Sequence, residues 1–384
     1  MSAAVPRTET PGQPAVSIET VGANPCRIWG MDTGERVRRI AAKAGLGGTG
    51  APVVLANADH VFDPAWLSHL ADNPGTALTL GGVPVLAHAR DEHEAAAVRA
   101  AMRGAGALPA DVSAIAYESG AEIENKVLRK RERPFVLELT AQTRRAAERA
   151  SYFGAYKGVT DLLTKYLWPE LALWLTRGAC RLGLSPNAVT AIGFALCVLA
   201  TVLFARGEYW WGMAAGFVFM VLDTVDGKLA RCTITSSKWG DVFDHGIDLV
   251  HPPFWWWFWA TGLVHWGLGL SDTLFWWVQG TLIAGYVLQR VIEGLFITRF
   301  GGIHIHVWRR FDSRFRLVTA RRNPNMVILF FATLAQRPDV GIVLVAVWTA
   351  ISFAVHLIRL GQAIQRQQRG QAITSWLAAE GAPA

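Results

Sequence analysis

Apolar residues change their manner of distribution near residue 185 of this chain. Upstream they come in short runs broken by charges, glycines and prolines; from about 186 to 362 they form long stretches. A helix crossing a bilayer needs about 20 predominantly apolar residues. Such stretches predict segments near Ala188–Phe204, Trp210–Ala230, Asp241–Val264, Thr273–Thr298 and Val340–Leu360, and a shorter one ending near Ala335. Ahead of them, Leu162, Leu163, Tyr166, Leu167, Leu171, Trp174 and Leu175 recur near helical spacing, with Lys157, Asp161 and Lys165 between. This predicts an amphipathic helix over roughly 143–183 lying along the membrane surface, bent or restarted at Pro169.

The pattern between 20 and 140 is that of a soluble α/β domain. It predicts a strand ending at Arg27–Gly30, a helix over Glu35–Ala44, a buried strand from Pro52 ending at Asp59-His60, and a helix over Pro64–Ala71. Thr76–Leu80 and Val83–Ala87, joined by Gly81-Gly82, predict a hairpin. The expected organisation is a disordered tail (1–19), a cytosolic α/β domain (20–140), an interfacial helix (141–185), a membrane domain of about six transmembrane helices (186–362) and a cytosolic tail (363–384). The first twenty residues are polar, with Pro6, Pro11 and Pro14 and no apolar core of a signal peptide.

Charge gives an orientation. Residues 299–323 carry Arg299, Arg309, Arg310, Arg314, Arg316, Arg321 and Arg322, whereas 265–272 carry no Lys or Arg. Cytoplasmic loops are the basic ones, so the former is expected in the cytosol, with the protein in the inner membrane. Trp210, Trp211, Trp266, Trp276 and Trp277 fall at the opposite ends, as an outer aromatic belt would; Trp255, Trp256, Trp257 and Trp259 are expected to face lipid or pack between helices. His304 and His306 are expected to be solvated or interfacial. Four scattered cysteines suggest neither disulfides nor a zinc site. The net charge of +7 fits basic residues near a membrane, and nothing points to nucleic acid.

The chemistry concentrates between Asp223 and Asp248. A carboxylate at mid-bilayer costs on the order of 2.5–3.5 kcal/mol, so such residues are rare and functional. Asp223 and Asp226 share one helix face, Asp244 and Asp248 another. The short polar connection Thr233–Lys238 suits an antiparallel pair, which brings both pairs to one membrane face. Clustered carboxylates call for hard divalent cations rather than zinc. Arg231 is placed for a phosphate, and Gly227 and Ala230 leave the backbone approachable. Asp241, one turn before Asp244, is either a helix-start residue or a direct participant.

The string Asp223-x2-Asp226-Gly227-x2-Ala230-Arg231-x8-Gly240-x3-Asp244-x3-Asp248 resembles the signature of the CDP-alcohol phosphotransferase family at all eight fixed positions. The resemblance implies transfer of a phospho-alcohol group from a CDP-linked donor to an acceptor hydroxyl, with release of CMP. It implies two Mg²⁺ or Mn²⁺ ions held by Asp223, Asp226 and Asp244, with Asp248 as general base and further metal contact. Gly227, Ala230, Arg231 and Gly240 would line the CDP site. Asn187 and Thr190, in a Pro-Asn-x-x-Thr entry similar to the family's, are either CDP contacts or a cap and first turn. Arg321 and Arg322 are either a snorkelling collar or a grip on an acceptor phosphate. The donor would be CDP-diacylglycerol or a CDP-polyol, the acceptor an alcohol or phosphorylated polyol, and the assembly a homodimer. An ion transporter would also carry intramembrane acids, but it leaves the glycines and Arg231 unexplained.

The strand ending in Asp59-His60 resembles sugar-nucleotide and inositol-phosphate nucleotidyltransferases, which bifunctional relatives fuse to this membrane domain. Their glycine-rich loop is only approximated by Gly30-Met-Asp-Thr-Gly34-Glu-Arg36. The expectation is therefore a degenerate nucleotidyltransferase-like domain with a structural or regulatory role, the alternative being an active cytidylyltransferase. The basic run Arg129–Arg133 is expected to meet anionic headgroups or solvent.

Overall fold

The computed structural model describes residues 16–379 and divides into two compact units. The first takes the chain up to Lys157, together with Thr176–Leu184 and Gly227–Lys238; the second takes the remainder. The expected tail over 1–19 lies outside the described residues up to residue 15, as do the last five residues of the expected C-terminal tail.

The first unit is built on a five-stranded mixed sheet of order β1-β2-β5-β4-β6. Its strands are β1 (Ser17–Val21), β2 (Val53–Asn57), β4 (Thr76–Leu80), β5 (Val83–Ala89) and β6 (Ser113–Ala116). β1 runs parallel to β2 and β6 parallel to β4, while β5 is antiparallel to both neighbours. Every residue of β2 is buried, as a continuous apolar run in a central strand requires. β4 and β5 form the expected hairpin, and Gly81 and Gly82 turn with φ of 56° and 81°. Two small pairs complete the strands: β3 (His60–Phe62) with β9 (Val136–Glu138), and β7 (Ile123–Asn125) with β8 (Lys130–Glu132).

Helices α1 (Thr33–Lys43), α2 (Pro64–Ala71) and α3 (Glu92–Met102) each begin at an aspartate. Asp32, Asp63 and Asp91 accept the backbone N–H of Glu35, Ala65 and Glu94, which satisfies donors that a helix start leaves open. The core gathers Leu55, Ala87, Ala95 and Val98. Trp66 is buried and donates its indole N–H to the Pro134 carbonyl at 2.9 Å.

Two expectations are corrected here. Arg27–Gly30 is not a strand end: Ile28 and Met31 bridge across Trp29 and Gly30, both with positive φ, in a tight turn. The edge position in the sheet goes instead to Ser17–Val21. The helix expected over 143–183 is interrupted. α4 (Arg144–Gly154) ends before a non-helical stretch, a π-helical turn covers Leu163–Leu167, and α5 (Pro169–Arg181) starts at the proline, which has no N–H to continue a helix.

The second unit is helical. Its elements are α6 (Pro186–Ala205), α7 (Tyr209–Cys232, whose last turns belong to the first unit), α8 (Lys238–Gly262), α9 (Asp272–Arg299), α10 (Arg310–Phe315), α11 (Arg322–Leu334), α12 (Pro338–Gln368) and α13 (Trp376–Ala379). α6, α9 and α12 are long and apolar enough to cross a membrane. α7 and α8 have 24 and 25 residues but carry the aspartates; α11 has 13.

Aromatic packing draws α6, α7 and α8 together. The Tyr209 ring stacks on Trp259 at 4.2 Å, and Phe204 meets Trp255 and Trp259 at 5.5 and 5.0 Å. Trp255, Trp256 and Trp259 are buried, so these three pack between helices. Gly262 makes the closest approach: a Cβ there would lie 1.9 Å from the Phe204 carbonyl oxygen. Backbone cannot retreat as a flexible side chain can. Gly262→Ala is therefore expected to cost about 3 kcal/mol or more, seen as a lowered unfolding temperature in detergent. Gly280→Ala on α9, where a Cβ meets nothing within 4 Å, should be neutral or mildly stabilising.

Candidate active site

α7 and α8 are joined by the short connection 233–237 and carry the acids near their adjoining ends. Carboxylate oxygens of Asp223, Asp244 and Asp248 come within 4.8 Å of one another. All three donors are hard oxygens, and the side chains are 18%, 31% and 43% exposed. That set fits a Mg²⁺- or Mn²⁺-type ion reached from solvent.

Asp226 is buried one turn further along α7, and its Oδ2 lies 2.6 Å from the Thr190 hydroxyl. Thr190 stands in the first turns of α6, which starts at Pro186 after the Ser185 cap, with Asn187 beside it. The Pro-Asn-x-x-Thr entry thus places a hydroxyl against a signature carboxylate.

The sequence does not reveal what balances this charge. Arg322, the first residue of α11, donates from Nη2 to Asp223 at 2.6 Å and from Nη1 to Asp248 at 2.7 Å. Its guanidinium also lies 4.7 Å from the centre of the Phe219 ring. One planar fork thereby ties a carboxylate on α7 to one on α8, the geometry for which arginine is suited.

Arg321 is held elsewhere. Its Nη2 donates to Glu293 Oε1 at 2.5 Å, and Arg290 donates to Glu293 Oε2 at 3.1 Å. His306 and His356 also approach Glu293 Oε1, at 3.3 and 3.9 Å. Glu293, His306 and His356 could ligate an ion, but two guanidinium groups already supply positive charge to that carboxylate. His306 is buried rather than solvated, a correction: the segment after α9 folds inward because the buried Glu293 offers its ring a partner.

Two further contributions lie outside the signature. Pro252 and Pro253 lie inside α8 and lack N–H groups, so the carbonyls of Asp248 and Leu249 lose their helical donors. The Tyr286 hydroxyl on α9 lies 3.2 and 3.0 Å from those two oxygens. Asn323, next to Arg322, donates to Asp161 at 3.0 Å. Asp161, expected on the polar side of an interfacial helix, is buried. The proline pair was a legible signal; the distant tyrosine and asparagine were not.

The remaining signature positions fall on the same two helices. Gly227, Ala230 and Arg231 occupy the last turns of α7, and Gly240 the first turn of α8. A Cβ on Gly227 would meet Arg231 Nη2 at 3.1 Å, so the arginine lies over that glycine, while its Nε donates to the Ala155 carbonyl at 3.1 Å. Asp241 is in the first turn of α8, where its charge favours the helix dipole.

In the first unit, Asp59 sits in a turn after β2. Its N–H meets Asn57 Oδ1 at 3.0 Å, and its carboxylate accepts from Asn24 at 3.1 Å. Arg36 is buried and donates to the Phe62 carbonyl at 3.3 Å; burial lowers its pKa, and Cys232 and Asp63 oppose that.

Residues 184–359 match the family model described as CDP-alcohol phosphatidyltransferase. An archaetidylinositol phosphate synthase from Pyrococcus horikoshii is 29% identical over 49% of this chain and 88% of its own. Cholinephosphotransferase 1 of Xenopus laevis is 32% identical over 29% of each chain, so less than a third of that relative's length is spanned. A crystal structure of Mycobacterium tuberculosis phosphatidylinositol phosphate synthase in complex with manganese and citrate aligns over 49% of this chain and 88% of that one, at 19% identity and a TM-score of 0.38.

Removing the guanidinium separates its two effects. Arg322→Met should destabilise the metal-free protein by on the order of 1–3 kcal/mol, because two carboxylates lose their counter-charge. It should also enlarge the rise in unfolding temperature on adding Mn²⁺, since the ion no longer competes with an internal cation. Thermal unfolding with and without Mn²⁺ reads both.

Proposed function

We propose that this protein is a membrane transferase that moves a phospho-alcohol group from a CDP-alcohol donor to an acceptor hydroxyl, releasing CMP. The observation that carries the reading is the convergence of Asp223, Asp244 and Asp248 within 4.8 Å where two helices adjoin, in a chain matching the family signature in full. Two divalent ions, Mg²⁺ or Mn²⁺, are assigned to Asp223, Asp226, Asp244 and Asp248. When bound, they would neutralise charge on the phosphates and on the entering and leaving oxygens.

The chain's own residues do the rest. Asp248, the most exposed of the three clustered acids, accepts the proton of the acceptor hydroxyl at its carboxylate. Thr190 holds Asp226 by its hydroxyl and so fixes the rotamer of a ligand. Gly227, Ala230, Arg231 and Gly240, with Asn187 and Thr190, are proposed to hold the CDP moiety, the small residues leaving room beside the backbone. Arg322 would turn its fork to a phosphate on the acceptor or the donor when Asp223 and Asp248 serve as ion ligands. Arg321, engaged by Glu293 apart from those carboxylates, is assigned to the basic collar.

The relatives whose names specify inositol phosphate or choline chemistry favour phospholipid or polyol-phosphate synthesis, with CDP-diacylglycerol as first donor to try and a CDP-polyol as second. We place α6–α9 and α12 across the inner membrane, with the 13-residue α11 reaching only part of the way and the aspartates on the cytosolic side, the basic segment 299–323 setting the orientation. The exposed side chains of Tyr166, Leu167, Leu171 and Trp174 suit an interfacial stretch. The α/β domain is assigned a structural or regulatory role: Asp59 is absorbed in a turn and Gly30 in a bridge between Ile28 and Met31. A homodimer is the expected assembly.

The test is CMP release from purified protein in lipid with each donor. Activity should depend on Mg²⁺ or Mn²⁺, vanish in chelator and return on adding the ion. Asp226→Asn should reduce it by about 100-fold or more. Undiminished turnover in chelator would overturn the reading.

A further inference from the structure

We infer that the first unit acts as a clamp on the connection between the two aspartate helices, with Arg36 and Arg39 of α1 as positioning residues for the site proposed above. Within that unit, Arg39 Nη1 donates to the Thr233 carbonyl at 2.8 Å, and Arg36 Nη1 lies 3.5 Å from the Cys232 carbonyl. Lys43, one turn on, meets the Ser236 hydroxyl. α1 thus lays three cations along the C-terminal end of α7 and the segment after it, where the Cys232 and Thr233 carbonyls accept from its arginines and the helix dipole is negative.

The last turns of α7 are held by further contacts. Lys228 Nζ sits 2.9 Å from the centre of the Tyr156 ring, and Arg231 donates to the Ala155 carbonyl. Cys232 is fully buried, and Ile234 nearly so.

An independent sign of constraint is the backbone. Ile234 has φ of 55°, a conformation that a β-branched residue avoids and keeps only when its surroundings impose it. Asp226 precedes Cys232 by six residues and Asp244 follows Lys238 by six, about 9 Å of helix on each side. Fixing the connection therefore fixes the two short levers that carry the acids. Metal sites and catalytic groups tolerate errors of only about 0.5 Å, so a loosened connection should be felt at the carboxylates. The α/β domain would then serve the geometry of the site.

The inference rests on the proposed reaction only for its activity readout. Full-length protein in lipid nanodiscs is compared as wild type, Arg36→Ala/Arg39→Ala, Arg36→Lys/Arg39→Lys and, as a control, Arg38→Ala, whose side chain is exposed on the same helix. The alanine pair should speed hydrogen exchange of amides 233–238 by about tenfold or more. It should weaken Mn²⁺ binding, read by electron paramagnetic resonance, by about fivefold, and lower kcat for CMP release more than KM for the donor. The lysine pair should recover most of each loss, because an ammonium can still donate to the carbonyls, and Arg38→Ala should match wild type. Unchanged exchange and Mn²⁺ affinity in a folded alanine pair would overturn the clamp. Should that pair not fold, Arg39→Ala alone, at a side chain 37% exposed, is read the same way and with the same overturning result. If every protein including wild type binds Mn²⁺ yet releases no CMP, the proposed reaction fails, while exchange and ion affinity still decide the clamp.

Discussion

Mutual repulsion among the acids on α7 and α8 is the constraint around which the second unit is arranged. Two charged carboxylates within 4.8 Å of one another repel by about 3.5 kcal/mol or more at an effective dielectric near 20, and three are gathered here. Such a group survives folding only if something cationic accompanies it. Arg322 provides that from the start of α11, and its forked donors reach one acid on each helix. The short length of α11 follows: it begins with a charged residue that must lie at the site, not with a full apolar span. Asn323 then anchors the same turn to Asp161, so neutralising the acids also fixes where α11 starts.

Much of this architecture was legible because local rules agreed with the tertiary outcome. Pro64–Ala71 is a helix because Asp63 caps it and Pro64 suits its first turn; the Gly81-Gly82 hairpin forms because glycine takes positive φ freely. The acids could be paired from spacing alone, since helical periodicity fixes which side chains share a face. Where reading failed, the deciding partner was remote. Nothing near His306 announces that Glu293 will bury it, and nothing near Arg322 announces two aspartates 74 and 99 residues away. The broken helix over 143–183 failed for a different reason: apolar spacing continued through the region, while the backbone turned at residues that spacing ignores.

The two halves of the signature also differ in surroundings. Asp223, Asp226, Asp244 and Asp248 belong to the helical unit, whereas Gly227, Ala230 and Arg231 are counted with the α/β unit although they continue the same helix. A single conserved-looking string thus straddles a boundary between compact units. The helix itself runs through both, and its last turns meet Tyr152, Tyr156 and Ala155.

The consecutive prolines of α8 carry a consequence for how this protein can change over time. By stripping two carbonyls of their donors beside Asp248, they make a single phenolic hydroxyl on a separate helix responsible for both. Loss of that hydroxyl strands two polar atoms, and restoring one N–H by replacing either proline leaves the phenol with half its task. The three positions form one set of matched donors and acceptors. Homologous chains should therefore gain or lose the tyrosine and the proline pair together, a co-variation set by counting donors and acceptors rather than by the reaction.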